Sequence, residues 1–230
     1  MLLMAMLFVS LTYAQIISTT AGGNWNDAST WLGGVVPTVN DDVVIDGTVF
    51  HSNKEDVCKT LTVNVEKTLT SLNPSVNGWP LKIMGDLINN GNLRDNDAGD
   101  WLQISVNGNI INNGVWTNYG VALIGDSDQI ISGNKPIAAY FIMTQNANRI
   151  IAGSDLVISG TTLLFYNNNE FVIDSDKTVS LLHSDVQIRG DFMPPTNMAR
   201  GVQFTGGGKL ITDGKYSLDE AKTEGVTVVK

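Results

Sequence analysis

The chain has a single cysteine, Cys58, which excludes an internal disulfide. Cys58 lies in the alternating stretch 57–65, where a buried, inert thiol is expected. Cationic residues are also scarce: 14 Lys and Arg face 23 Asp and Glu, a formal charge of −9. Such a surface repels phosphates, and no basic run offsets it, so nucleic acid is excluded as a partner. Beyond the first 14 residues no apolar run reaches the roughly 18 positions a spanning helix needs, so no membrane span is expected. Helical periodicity is missing too. Gly and Asn interrupt almost every window before it can build. Only residues 217–223, SLDEAKT, have the makings of a helical turn, with Ser217 as N-cap and Glu220 at the third helical position.

Catalytic signatures are equally absent. The chain contains no G-x-S-x-G and no H-E-x-x-H. Gly206-Gly207-Gly208-Lys209 is followed by Leu210, so the hydroxyl that would hold magnesium in a phosphate loop is missing, and a bend between strands is expected. His51 and His183 have no Cys or second His at ligand spacing and read as surface or edge residues. From 101 to 148 there is one lysine, Lys135, and no arginine. A lyase acting on acidic polysaccharide needs cations to neutralise its substrate, so this scarcity argues against one.

What the sequence does carry begins with an address. Residues 1–14, MLLMAMLFVSLTYA, are apolar, with Thr12 and Ala14 at the −3 and −1 positions before Gln15. This is the pattern of a secretory signal peptide, although it has no Lys or Arg near its start. A secreted or cell-surface protein is expected. The chain closes on Val226-Thr-Val-Val-Lys230 without a recognisable sorting domain, as a piece of a longer protein would.

The stretch from 21 to 47 is rich in turn residues and holds two indoles, Trp25 and Trp31, that can anchor it. Val43-Val44-Ile45 closed by Asp46-Gly47 reads as a short strand ending in a turn. Residues 15–47 are therefore expected to form an N-terminal cap and first strand, with residues 48–230 forming the body. The ordered series Asn24-Trp25-Asn26-Asp27-Ala28-Ser29-Thr30-Trp31, Gly33-Gly34-Val35-Val36-Pro37 and Asp41-Asp42-Val43-Val44-Ile45-Asp46-Gly47 resembles the opening segment of the eight-glycine domain of extracellular proteins. It also resembles a module of Bacteroidetes-type secreted β-helix surface proteins. The resemblance implies a right-handed parallel β-helix and an extracellular setting, and it transfers no catalytic residue.

Internal recurrence points the same way. Leu81-Lys-Ile-Met-Gly85-Asp-Leu-Ile-Asn-Asn-Gly91 returns as Leu102-Gln-Ile-Ser-Val-Asn-Gly108-Asn-Ile-Ile-Asn-Asn-Gly114, with both glycine pairs 23 apart. Aliphatic pairs follow at 130–131, 150–151 and 210–211, the first two stepping by 20 from 110. A period near 20 suits three short strands per coil, the cross-section of a solenoid. An all-β, right-handed parallel β-helix with an N-terminal cap is expected; a β-sandwich is the alternative. Ile88 and Ile111 should stack in adjacent coils. Asn89 with Asn112, and Asn90 with Asn113, should form ladders of amides at the bends.

Two candidate binding sites stand out. Asp95, Asp97 and Asp100 surround Gly99 and can offer oxygen ligands to calcium, although the loop is shorter than an EF-hand and lacks its distal Glu; a plain polar loop is the other reading. Trp79, Trp101, Trp116 and Tyr119 are the aromatics that could carry sugar rings. Trp101 and Trp116 fall in different phases of the repeat, so they need not share a face, and core packing is the other reading of each. A carboxylate pair for glycoside hydrolysis could come from Asp126, Asp128, Asp155, Asp174 and Asp176, but no spacing singles one out. Three functions follow in order: a structural or adhesive module of a surface protein, a carbohydrate-binding module, and a polysaccharide-degrading enzyme. Partners are extracellular glycans or other domains of the same protein. An exposed aromatic row would favour the second.

Overall fold

A computed structural model describes residues 15–72, 80–144, 149–165, 170–188, 202–213 and 221–230. The segment 1–14 read as a signal peptide, and Trp79, lie outside the described residues. The expected helical turn at 217–223 does so in part, and its end, Ala221–Thr223, is a strand.

The described residues form short parallel strands and one 3-10 turn, Ala28–Thr30. Their order explains the periodicity. The chain visits a ten-stranded sheet, then a second face, then a seven-stranded sheet, and repeats the circuit. Each named strand pairs in parallel with its counterpart one circuit away, as Leu87–Asn89 does with Ile110–Asn112. A sandwich of antiparallel sheets is thereby ruled out. The arrangement is all-β and parallel, compatible with a β-helix or solenoid.

The second face is built from two sheets in succession. A five-stranded sheet ends at Val115–Thr117, and a four-stranded sheet starts at Leu156–Ser159. Between them lie Pro136, Ile137 and Ala138. The Ala138 amide donates to Trp116 O (3.0 Å), and Ile137 bridges to Ile158. Proline has no N–H to offer a ladder, so regular pairing breaks there.

Alternation turns every second side chain inward. One inward line runs Ile16, Val43, Leu61, Leu87, Ile110, Ile131, Ala152, each aligned with the next and each buried. Burying an aliphatic side chain of this size contributes about 1.5–3 kcal/mol. Ile88 and Ile111 do align, as expected, but both point outward and are only half-buried. The 20-residue step was also one short. Ile110 aligns with Ile131, and Gln129 with Ile150, so Ile130 is exposed. A shift of one residue exchanges inside for outside.

The inward Gln129 is accommodated because its amide donates to Val106 O and Gly108 O while its oxygen accepts from Gly125 N. The asparagine ladders are present. Asn89 Nδ2 donates to Asn112 Oδ1 (2.8 Å), and Asn113 Nδ2 to Asn90 Oδ1 (3.0 Å). The glycine spacing has a steric cause as well: a Cβ on Gly114 would lie 2.1 Å from Gly91 O in the preceding circuit.

The cap is less separate than expected. Gln15–Ile17 and Gly23–Asn24 already pair with Asp42–Ile45 and Thr48–His51. The loop after them folds across the end of the core. Trp25 and Trp31 are buried edge to face, with centroids 5.1 Å apart, and Trp31 Nε1 donates to Trp25 O (2.7 Å). Asp27 caps the intervening 3-10 turn by accepting from Ser29 N and Oγ.

His51 departs from the surface position expected of it. It is fully buried, with Nδ1 2.8 Å from Asp56 Oδ2. That oxygen also accepts from Ser52 N and Asn53 N, and Asn26 of the cap loop donates to Asp56 Oδ1. The alternation of Thr48–His51 turns both Val49 and His51 inward, which forces a polar partner onto the histidine.

Candidate functional site

Three aromatic side chains form a row at the edge where strands of the seven-stranded sheet begin. The strands Gln103–Val106, Gly120–Leu123 and Phe141–Thr144 lie side by side. Just before them come Trp101, Tyr119 and Tyr140. The neighbours Leu102, Asn118 and Ala139 turn inward and are buried, which throws the aromatic rings out. Trp101 stacks on Tyr119 with centroids 4.4 Å apart and planes 8° from parallel. Tyr119 stacks on Tyr140 at 5.3 Å and 15°. Phe141 meets Tyr119 edge-on at 5.2 Å. Stacked pairs of this kind contribute about 0.5–1.5 kcal/mol each beyond area burial.

The row ends at Tyr140. Its counterpart in the next circuit is Thr161, which is buried and bonded to Ser159 O. Gly160, one residue earlier, has open space where a side chain would be. Among the described residues no aromatic ring therefore covers the outer side of Tyr140, which is 63% exposed, against 43% for Trp101.

Two side chains, half-buried Asp95 and buried Asn118, hold the backbone beneath the rings. Asp95 Oδ1 accepts from Leu102 N (2.7 Å) and Tyr119 N (2.8 Å). Asn118 Nδ2 donates to Leu102 O and Gly120 O, and Asn118 Oδ1 accepts from Trp116 Nε1 (2.7 Å). Trp116 is thus a core residue, 1% exposed, and is no part of a sugar platform. Its outward neighbours Val115 and Thr117 fix its inward phase. Of the residues expected to bind carbohydrate, Trp101 and Tyr119 come together and Trp116 does not.

The aspartates suspected of holding calcium are likewise put to separate uses. Asp95 serves the two amides just named, Asp97 pairs with Arg94 (2.9 Å), and Asp100 accepts from Asn96 Nδ2 (3.3 Å). Among the described residues no three His, Cys, Asp or Glu side chains converge as a metal site. As described, Asp95 braces the backbone, and the three aspartates do not converge.

Burial pushes the Asp95 carboxyl above the ordinary range, and the amides of Leu102 and Tyr119 pull it part of the way back. The folded protein therefore holds this proton more tightly than the unfolded chain does. Ionisation of Asp95 opposes folding, an effect absent below about pH 3.9 and growing as pH rises through the folded value. Asp95→Asn keeps an oxygen for both amides and removes the charge. Its urea midpoint relative to wild type should rise between about pH 3.5 and 7. A difference that stays flat with pH would refute this account.

The remaining polar candidates do not assemble. Asp128 pairs with Arg149, which holds its carboxyl low, and Asp176 pairs with Lys177. Asp155 accepts from Thr178 N. Asp126 and Asp174 sit exposed between strands. His183 is exposed at a bend, 3.6 Å from Asp213. Cys58 is buried, and desolvation, reinforced by Asp42 and Asp41, pushes its thiol up, which keeps it protonated and inert.

Tyr140 and Phe141 were missed in the sequence. The signal was there: Tyr119-Gly120 and Tyr140-Phe141 lie 21 apart, the step that aligns those strands. No protein-family profile, curated protein or solved structure matches the chain. Among the described residues no helix is long and apolar enough to cross a membrane.

Proposed function

We propose that the chain is a glycan-binding module of a secreted surface protein, carried on a right-handed parallel β-helix and without catalysis of its own. The observation that supports this reading is the Trp101–Tyr119–Tyr140 row. Inside it the ring faces cover one another, which stiffens the edge; at Tyr140 the row presents an exposed ring. Pyranose rings have apolar C–H faces that stack on aromatics in this way. A structural or adhesive role is served by the same rigid scaffold, and the row supplies the contact. The leader-like 1–14 segment supports the extracellular setting.

The test is calorimetric titration of the purified chain against a panel of oligosaccharides. Binding should weaken by about tenfold or more in Tyr140→Ala, the equivalent of roughly 1.4 kcal/mol. Tyr140→Phe should retain most of it. The circular dichroism of both variants should match wild type, because Tyr140 is largely exposed. Absence of binding across the panel, or equal binding by Tyr140→Ala, would sink the reading.

A further inference from the structure

Beside the row, on the outer surface of the seven-stranded sheet, lies a trough of about 290 Å³. The strand register builds it. Two lines of outward residues cross the strands: Lys82, Ser105, Ala122, Met143 and Gln103, Gly120, Phe141. Gly120 and Ala122 are the small residues in the middle, so the sheet surface dips between polar side chains on one hand and Phe141 and Met143 on the other. Phe141 leans into the dip. A Cβ on Gly120 would lie 2.1 Å from its Cζ, so the bare glycine is what admits the ring. Phe141 also touches Tyr119, which joins the trough to the aromatic row.

The polar lining is distinctive. Ser105 is only 4% exposed, yet among the described residues its hydroxyl has no hydrogen-bond partner. The same holds for the side-chain amide of Gln103 and the ammonium of Lys82. Elsewhere on these circuits Asn89, Asn112, Asn118 and Gln129 are bonded through their side chains. Ser105 is the buried member of this set, while Gln103 is half-buried and Lys82 exposed, so their donors and acceptors open onto one hollow where a ligand can meet them. No carboxylate lines the trough, although the chain as a whole carries −9. Lys82 is therefore an uncompensated positive charge in a local hollow of an acidic molecule.

We propose that this trough binds an acidic sugar: a pyranose carrying a carboxylate or sulfate group, within a glycan whose neighbouring residue stacks on Tyr140. The anion sits on Lys82 Nζ. Sugar hydroxyls bond to Gln103 and Ser105, and the apolar ring face rests against Phe141 and Met143. The long-range field of the protein disfavours anions, so selectivity comes at contact distance, where one ammonium can act. This assignment rests on the glycan-binding reading and adds the class of glycan.

The deciding experiment titrates the full chain with three oligosaccharides of equal length: a neutral glucan, a polyuronate and a sulfated galactan. Measurements are made at about 20 and 500 mM salt, where screening differs strongly. At least one anionic probe should bind about tenfold more tightly than the neutral one at low salt, with the advantage shrinking at high salt. The polyuronate and sulfate arms tell which anion is preferred. Lys82→Gln, at an exposed position, should erase the anionic advantage, while Ser105→Ala should weaken every probe severalfold. A neutral preference, or an anionic advantage unchanged by Lys82→Gln in a variant with native circular dichroism, overturns the assignment. If the neutral glucan binds and depends on Tyr140 while no anionic preference exists, only the acidic-sugar assignment falls. If no probe binds, both fall.

Discussion

Replacing Trp31 by alanine will lower the unfolding free energy by about 4 kcal/mol. The indole fills the open end of the core, packed edge to face on Trp25, and it is nearly inaccessible to solvent. Truncation empties that volume and leaves Trp25 O without its donor. Collapse cannot refill the space, because the surrounding loop is held by Asp27 at its turn and by Thr30 Oγ1 on Asn24 O. Trp31→Phe should cost roughly half as much, since it keeps a ring and loses the hydrogen bond. Urea unfolding followed by circular dichroism measures both. A loss under about 1 kcal/mol for the alanine variant would mean that the loop does not support the core.

Asp56→Ala should be as damaging, with a loss of about 3–5 kcal/mol. One carboxylate holds the buried imidazole of His51, the amides of Ser52 and Asn53, and the Asn26 side chain from the cap loop. Removing it takes the Nδ1 partner from a buried imidazole and the acceptor from two backbone donors. The double variant Asp56→Ala with His51→Leu should recover part of the loss, because an apolar side chain at 51 suits the inward position. Absence of any recovery would show that the histidine is not the source of the cost. The same pair ties the cap to the second circuit, so loss of Asp56 should also expose Trp25 and Trp31 to quencher before global unfolding.

Much of this fold was legible in the residues. The two tryptophans marked the closed end, and the 23-residue recurrence marked stacked strands because glycine backbones and asparagine amides must meet their own kind one circuit away. The register was harder. Ile110, Ile130 and Ile150 look equivalent, but Gln129 is the inward residue, and only its bonds to Val106 O and Gly108 O reveal why. His51 misled for a related reason: its partner is five residues on, beyond a turn, and nothing in local pattern says that the turn brings Asp56 back. At the site, Asp95 could be read as a calcium ligand or as part of a plain polar loop, and the structure uses it as a brace. A carboxylate that accepts two amides from separate circuits cannot be told from a metal ligand until the circuits are aligned. Tyr140 carried a clear signal at 21 residues, hidden because the repeat had been measured as 23 and 20.

The strict neighbour-to-neighbour pairing has a kinetic consequence. Among the described strands, aligned residues are separated by as few as 17 positions, Gln103 to Gly120, and by no more than 33, Glu170 to Gln203. In a chain of 230 residues this gives a relative contact order of about 0.1, a value usual for helical bundles and low for an all-β protein. No distant ends need to find each other before the chain gains contacts. Growth can proceed one circuit at a time from a formed edge, as in a one-dimensional array. The tryptophan-closed end supplies such an edge and is made before the circuits that follow it, so folding can begin there while the remainder is still being synthesised.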